Sequence, residues 1–180
     1  MASRNRQMKC RKGDPMKLAF AILCTVFFLV WIGVRTVADI NFDRNCEGYL
    51  KRAADANTVD LAAENLEVAV KYAEQNGLTS GFTSIVYRTP DEDIGFWYKN
   101  LTASLKELRA VKPETPQLER TNILMKLRET LLDQGQSTSV TAPSGISVYP
   151  NNAVYAMWGL LTGVLGCVFW FLWFIEVGGY

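Results

Sequence analysis

The sequence predicts an all-α fold, in which two transmembrane helices flank a helical bundle and short strands occupy two of the loops. Two uncharged apolar runs support this prediction, Leu18–Val34 and Ala153–Ile175. Apolar residues at helical spacing between the runs support it as well. A helix of roughly 20 residues crosses the ~30 Å hydrocarbon core of a bilayer. Two buried core helices are the disfavoured alternative, because the middle of the chain is too short to cover both.

The first apolar run has 17 residues, which is short for a membrane span. Arg35 can reach the interface with its long side chain, and Thr36–Ala38 extend the helix. The predicted organisation is a basic cytoplasmic tail at 1–16, a first span at 17–38, an extracytoplasmic helical domain at 39–135, a linker at 136–152, a second span at 153–175 and a short cytoplasmic tail at 176–180.

The distribution of charge predicts the orientation. The first 17 residues carry six Lys or Arg and one acidic residue, Asp14, whereas the segment from Arg35 to Asn152 has 13 basic and 16 acidic residues. Positive residues beside a span stay in the cytoplasm, so both termini are predicted inside and the middle domain outside. The tail also suits contact with anionic lipid, and orientation explains its charge without a nucleic-acid partner.

Two cleavable signals offer alternatives to two permanent spans. Residues 1–38 resemble a signal peptide, with Thr36–Ala38 as its cleavage site, and the last apolar run follows Ser144-Gly145 in the manner of a lipid-anchor signal. The apolar core of a signal peptide has about 7–15 residues, and the first run here is longer. An uncleaved anchor at each end is therefore the favoured interpretation.

The first two helices of the domain are predicted from breaks and from periodicity. Neither Pro nor Gly interrupts the chain after the first span until Gly48, so the helix is expected to continue out of the bilayer. A second helix is predicted to start with Asn57 as its N-cap, paired with Asp60, and to end at Asn76-Gly77. Its apolar face has three and four residue spacing and consists of Val59, Ala62, Leu66, Ala69 and Ala73.

Two further helices are predicted by their proline-containing starts. Thr89 is the expected N-cap of one, with Pro90 at the first helical position, and Thr115-Pro116 start the next. The short turn between them makes antiparallel neighbours. Helical spacing predicts an apolar stripe on each helix, formed by Ile94, Trp97, Leu101, Leu105 and Leu108 on the first and by Ile123, Leu124, Leu127 and Leu131 on the second. The second of these helices is expected to end at Gly135, and short extended pieces are expected at 84–87 and 146–149.

Small residues form a ridge along the second predicted span, at spacings of three, four and three. Close backbone approach holds helices together in lipid, where no hydrophobic force acts between them. The ridge therefore predicts a contact with the first span or with another copy of the chain. Its members are Ala156, Gly159, Gly163 and Gly166.

Three consecutive aromatic residues, Phe96-Trp97-Tyr98, cannot all face one core from a single helix. Trp97 lies on the apolar stripe, and Phe96 and Tyr98 flank it. Either two neighbouring helices cover these flanks, or one flank is exposed to a partner or ligand. The acidic residues Asp91–Asp93 precede this helix, where a helix N-terminus favours negative charge.

The cysteines and the lack of histidine in the sequence argue against metal, cofactor and catalytic sites. The only cysteine of the middle domain is Cys46, so a disulfide within that domain is impossible. Cys46 is either an inert thiol, which is favoured, or the site of an intermolecular disulfide. No nucleophile has a histidine base and no phosphate-binding loop is present, so no enzyme, cofactor or metal is predicted.

Four stretches carry a resemblance to a known family, namely Ala38–Cys46, Tyr49–Thr58, Thr89–Tyr98 and Gly145–Asn152. They resemble a family of small bacterial two-span membrane proteins with a helical periplasmic domain and no known activity, and the resemblance covers most of the chain. The resemblance implies the bacterial inner membrane as the location. It also implies that the outer side of the membrane is the periplasm.

The leading functional expectation is a non-enzymatic envelope protein whose domain mediates protein–protein interaction, as a homo-oligomer or with another membrane protein. One alternative is a ligand-sensing bundle, because chemoreceptors place a similar bundle between two spans. Only five residues follow Ile175, so such a sensor would signal laterally to a partner. A small channel or channel accessory subunit is a further alternative, although neither span contains a charged residue in its core.

Overall fold

The computed structural model describes residues 13–133 and 139–178, which are mostly helical with two very short strands. These residues divide into two compact units. One unit contains residues 13–34 and 153–178, and the other contains Arg35–Asn152. The division separates the two apolar runs from the middle of the chain.

The first unit consists of the apolar part of helix α1 (Pro15–Phe42) and most of helix α6 (Asn152–Gly178). Asp14 caps α1, since its carboxylate accepts a hydrogen bond from the Met16 amide at 3.0 Å. Both helices are long and apolar enough to cross a membrane, as the sequence predicted. Only 6% of the most apolar stretch of each helix is buried. They are therefore not the covered core helices of a soluble fold.

In the second unit, α1 continues without a break through a π-helical turn (Asp43–Glu47) into α2 (Gly48–Ala54), as expected from the lack of Pro and Gly. The remaining helices are α3 (Val59–Gln75), α4 (Ile94–Ala110) and α5 (Gln117–Leu131). Strands β1 (Leu132–Asp133) and β2 (Ser139–Val140) pair antiparallel, with Leu132 opposite Val140.

The core of the second unit lies between these helices, and the predicted apolar stripes face it. All five predicted residues of the α3 stripe are buried. Ile94, Trp97, Leu101, Leu105 and Leu108 of α4 are buried as predicted. The α5 stripe is buried only towards its C-terminal end, at Leu127 and Leu131. The helical periodicity was thus a reliable guide to the buried faces.

Three predicted helix starts were wrong. Pro116 is the N-cap of α5 rather than its first helical residue. Thr58 rather than Asn57 caps α3, with its hydroxyl oxygen accepting from the Leu61 amide at 3.3 Å. Helix α4 begins at Ile94, and Asp93 is its N-cap. The chain cannot become α-helical at Pro90, because Asp93 is extended and forms a β-bridge with Phe82. Residues Pro90–Glu92 form a separate 3-10 turn instead.

The predicted extended pieces were also wrong. Residues 84–87 form no strand, and the bridge lies just before them at Phe82. Residues Ile146–Val148 form a 3-10 turn that follows Gly145, whose φ of 76° is in the left-handed region. Helix α5 ends at Leu131, where the chain enters β1, and the predicted end at Gly135 lies outside the described residues.

Candidate functional site

Three of the four small residues predicted to form a helix contact lie directly against side chains of α1. A Cβ atom added at Gly159 would lie 2.6 Å from atoms of the Trp31 ring. One added at Gly163 would lie 3.2 Å from the Phe28 ring, and one at Gly166 would lie 3.5 Å from the Cβ of Cys24. The glycines therefore form hollows that accept the larger side chains of α1.

Ala156, the fourth residue of the predicted ridge, is half-buried. At the preceding residue, the indole nitrogen of Trp31 donates a hydrogen bond to the Tyr155 carbonyl oxygen at 2.6 Å. Further along the pair, the indole nitrogen of Trp170 donates to the Thr25 hydroxyl oxygen at 3.0 Å. The contact thus combines close packing with two hydrogen bonds between the helices.

An ion pair joins the two helices at the other end of the α1–α6 contact. The Lys17 ammonium contacts the Glu176 carboxylate, and the Asp14 amide donates to the same carboxylate at 3.0 Å. The start of α1 therefore lies beside the end of α6, which makes the two helices antiparallel. The sequence predicted that the small-residue ridge contacts either the first span or another copy of the chain. In the described residues, the first span contacts it.

Phe96 and Tyr98 have different environments on α4. Phe96 is 61% exposed. Tyr98 is half-buried against the core, and its hydroxyl donates to the Glu74 carboxylate at 2.7 Å. This hydrogen bond and partial burial raise the pKa of the Tyr98 hydroxyl. Being two residues apart, the side chains leave α4 on nearly opposite sides, so they do not form one continuous surface.

The exposed Phe96 side chain borders a groove of about 390 Å³ between α4 and the segment 139–144. Trp97 and Leu101 contribute apolar surface to it. The Trp97 indole nitrogen donates to the Thr141 carbonyl oxygen at 2.9 Å and so fixes the far wall to α4. The groove is therefore a formed feature of the domain rather than a gap between unconnected segments.

Carboxylates surround this groove. Asp91, Asp93 and Asp133 line it, and its described lining contains no Lys or Arg. Asp93 is engaged as the N-cap of α4, accepting from the Phe96 amide at 3.1 Å. Asp91 and Asp133 are exposed. An apolar floor with a negative rim suits a ligand or peptide segment that carries both an apolar and a cationic group.

A wider cleft of about 660 Å³ lies between the turn before α3 and the turn from α4 to α5. Its Arg120 guanidinium is occupied, since it donates to the carbonyl oxygens of Thr115 at 2.9 Å and Lys112 at 3.4 Å and to that of Pro113. Arg120 therefore holds the α4–α5 turn together. No local sequence pattern identifies Arg120 beforehand, because the carbonyl groups it binds become neighbours only when the turn forms.

Cys46 is fully buried in the domain core, and its thiol lies 3.9 Å from the Ala69 carbonyl oxygen. Burial, followed by the negative charge of Glu47, raises its pKa from 9.0 to about 12. Thiolates carry out disulfide chemistry, and a buried neutral thiol has no access to a second chain. This environment favours the inert thiol among the two alternatives that the sequence left open.

Among the described residues, no group of three or more Cys, Asp or Glu side chains has the arrangement of a metal site. Comparison of the chain with protein-family models, curated proteins and solved structures finds no match. Two features stand out as functional candidates on geometry alone. They are the α1–α6 contact and the groove beside Phe96.

Proposed function

We propose that this chain is a two-span protein of the bacterial inner membrane, with cytoplasmic termini and a periplasmic helical domain. In this proposal the domain has no catalytic role. It binds a protein partner through the groove beside Phe96, and the two spans hold it at the membrane surface.

The surfaces of α1 and α6 support the membrane location. Leu29, Leu160 and Phe171 are 60%, 63% and 66% exposed, and many of their apolar neighbours are similar. Leaving such a side chain in water rather than burying it costs about 1.5–3 kcal/mol. A bilayer removes this cost along the full length of both helices. The antiparallel pairing through Lys17 and Glu176 keeps both termini on one side, and the basic tail favours the cytoplasm for that side.

The exposure of Phe96 is the observation that carries the proposed interaction. Phe96 is 61% exposed beside a formed groove, and aromatic side chains, Phe included, are enriched at protein interfaces relative to the rest of the surface. The negative rim at Asp91 and Asp133 adds a requirement for a basic group on the partner. We therefore expect a partner segment with an apolar side chain next to Lys or Arg.

Photo-crosslinking in native membranes tests this proposal. A benzophenone amino acid replaces Phe96 in one variant and Met125 in a control, which is 57% exposed on α5. The proposal expects one discrete adduct from position 96 that is weak or absent from position 125. An Asp91→Asn, Asp133→Asn double variant should reduce this adduct. Equal adducts from both positions, or an adduct insensitive to the two aspartates, would contradict binding at the groove.

The size of the same groove favours a second candidate function, a ligand sensor. Its volume of about 390 Å³ falls within the range of small-molecule sites, which is roughly 300–1,000 Å³. The negative rim then favours an organic amine. Thermal unfolding of the purified full chain with a panel of aliphatic and aromatic amines tests this. A stabilisation that disappears in Phe96→Ala supports a sensor, and unchanged unfolding across the panel counts against it.

A further inference from the structure

The loop that follows Phe82 exposes three consecutive apolar side chains. Ile85, Val86 and Tyr87 are 54%, 79% and 78% exposed. These three residues are called the Ile85–Tyr87 loop below. Its sequence has no charged residue until Arg88, whose guanidinium lies 5.7 Å from the centre of the Phe82 ring. Such a run of exposed apolar residues is typical of a surface that contacts a membrane or another protein.

Hydrogen bonds fix the base of this loop to the segment that leads into α6. The side-chain amide of Asn152, the first residue of α6, donates to the Thr83 carbonyl oxygen at 2.5 Å. The Tyr149 hydroxyl donates to the Ser80 carbonyl oxygen at 2.7 Å. Because a residue spans at most about 3.6 Å of chain, the Val86 backbone lies within roughly 11 Å of the Thr83 backbone. The loop is therefore held near the start of α6.

We propose that the Ile85–Tyr87 loop inserts into the interfacial layer of the lipid bilayer beside the start of α6. This inference rests on the proposed function, in which α6 crosses the membrane. Ile85 and Val86 would contact the upper part of the acyl chains. Tyr87 would lie at headgroup level, where tyrosine combines an apolar ring with a hydrogen-bonding hydroxyl. Arg88 would lie beside lipid phosphates.

The hydrogen bond between Asn152 and Thr83 favours lipid, rather than a protein, as the partner that contacts the loop. If α6 enters the bilayer at its first turns, a loop whose base is bonded to Asn152 lies close to the point of entry, near the headgroups. The order of side chains, with apolar residues followed by tyrosine and arginine, also matches the change from acyl chain to phosphate.

Fluorescence quenching in vesicles tests the inference with the full chain. Cys10, Cys24 and Cys167 are replaced by Ala, and Cys46 stays because it is fully buried. One NBD label is attached at Val86→Cys in vesicles of phosphatidylethanolamine and phosphatidylglycerol. Doxyl groups on added lipid, at shallow or deep acyl positions, quench the label where it contacts lipid. Tyr87→Cys provides a second labelling site if the first variant folds poorly.

Two further labels serve as references. Leu118→Cys is the exposed control, since Leu118 is 74% exposed on the domain. Leu118 is also far from the loop along the chain of contacts. The first residue of α4, Ile94, bonds to Gly81 near the loop, whereas Leu118 follows the other end of this helix. Helix α4 has 17 residues and is therefore about 25 Å long. Val164→Cys reports on α6 itself, where Val164 is 55% exposed.

The inference expects shallow doxyl lipid to quench the Val86 label at least threefold more strongly than the Leu118 label, and deep doxyl lipid to quench the Val164 label. Quenching at Val164 with equal, weak quenching at Val86 and Leu118 overturns the inference and leaves the two-span proposal intact. No quenching at Val164 overturns both. A Val86 label that is shielded from iodide but not quenched by lipid overturns it in favour of a protein partner.

Discussion

The Trp31 ring occupies the hollow above Gly159, and its indole nitrogen donates a hydrogen bond to the adjacent Tyr155 carbonyl oxygen at 2.6 Å. One aromatic side chain thus fills a hollow on α6 and bonds to its backbone. Both interactions require that position 159 has no side chain. Because Gly163 and Gly166 face smaller or more distant groups, the tolerance for a methyl group should increase along α6.

Alanine substitutions along the ridge should reproduce this gradient. Gly159→Ala places a methyl group 2.6 Å from the Trp31 ring, and we expect overpacking to destabilise the folded protein by about 1–3 kcal/mol. Gly163→Ala, at 3.2 Å from Phe28, should have a smaller effect, and Gly166→Ala, at 3.5 Å from Cys24, should be tolerated. Thermal unfolding in one detergent measures all three.

Gly33→Ala is the matched control for this series, because a Cβ added there meets no atom within 4 Å. Replacing a helical glycine by alanine at an open position should be neutral or stabilising. The gradient would be contradicted if Gly159→Ala unfolded at the same temperature as Gly33→Ala. Such a result would mean that α1 and α6 do not approach each other at Trp31.

The buried thiol of Cys46 leads to a prediction on reactivity. In a variant with Ala at positions 10, 24 and 167, the folded protein should resist maleimide at pH 8 because Cys46 is fully buried. The same protein unfolded in denaturant should react completely. Because Cys46 forms no intermolecular disulfide in this prediction, the variant should also run as a monomer on a non-reducing gel. Rapid modification of the folded protein, or a dimer sensitive to reductant, would support the intermolecular disulfide instead.

The pKa of Cys46 also predicts how stability depends on alkaline pH. The folded-state pKa is raised from 9.0 to about 12, so above pH 9 the unfolded chain releases a proton that the folded chain retains. The contribution to stability is complete below pH 9 and declines as the pH rises from 9 towards 12. The decline is up to about 1.4 kcal/mol per pH unit. Denaturant unfolding of wild type and Cys46→Ala between pH 8 and 10.5 should show that only the wild type has this component.

A comparison of the predicted and observed helix α4 shows which parts of the domain could be predicted from the sequence. Its buried stripe follows from helical periodicity, which depends only on neighbouring residues. Its start does not, because the bridge between Phe82 and Asp93 competes with helix formation at Pro90 and joins residues eleven positions apart. Asn57 and Thr58 are likewise both residue types that favour the N-cap position, so the local sequence does not choose between them, and in the structure Thr58 is the cap of α3.

For the candidate sites, the sequence indicated one side of each contact but not the residues that lie opposite. Small residues on α6 indicate that another helix approaches closely, but they carry no information on which side chain fills each hollow. Trp31 and Thr25 therefore could not be identified beforehand as the partners on α1. The three aromatics of α4 left open whether neighbouring helices cover both flanks or one flank is exposed, and only burial separates the exposed Phe96 from the half-buried Tyr98. The wall of the groove at Thr141 is distant in sequence and gave no signal.

The different roles of Trp97 and Tyr98 can be tested by substitution. Trp97 is 6% exposed and bonds to Thr141, so Trp97→Leu should cost about 2–4 kcal/mol and expose the segment 139–144 to protease. Tyr98→Phe removes only an exposed hydrogen bond to Glu74 and should cost less than about 1 kcal/mol. Urea unfolding and limited proteolysis give both readouts. Equal costs would show that the Trp97–Thr141 bond does not hold the groove wall.

The orientation of the chain can be tested with reporter fusions. We expect green fluorescent protein fused after Tyr180 to fluoresce and alkaline phosphatase fused there to be inactive, since the phosphatase folds only in the periplasm. Phosphatase fused after Leu118, within the domain, should be active. The physical cause is the basic tail, so replacing Arg4, Arg6, Lys9, Arg11 and Lys12 by Gln should reduce the difference between the two positions. In the unmodified chain, active phosphatase after Tyr180 with inactive phosphatase after Leu118 would reverse the proposed topology. Activity at both positions would indicate that α6 does not span the membrane.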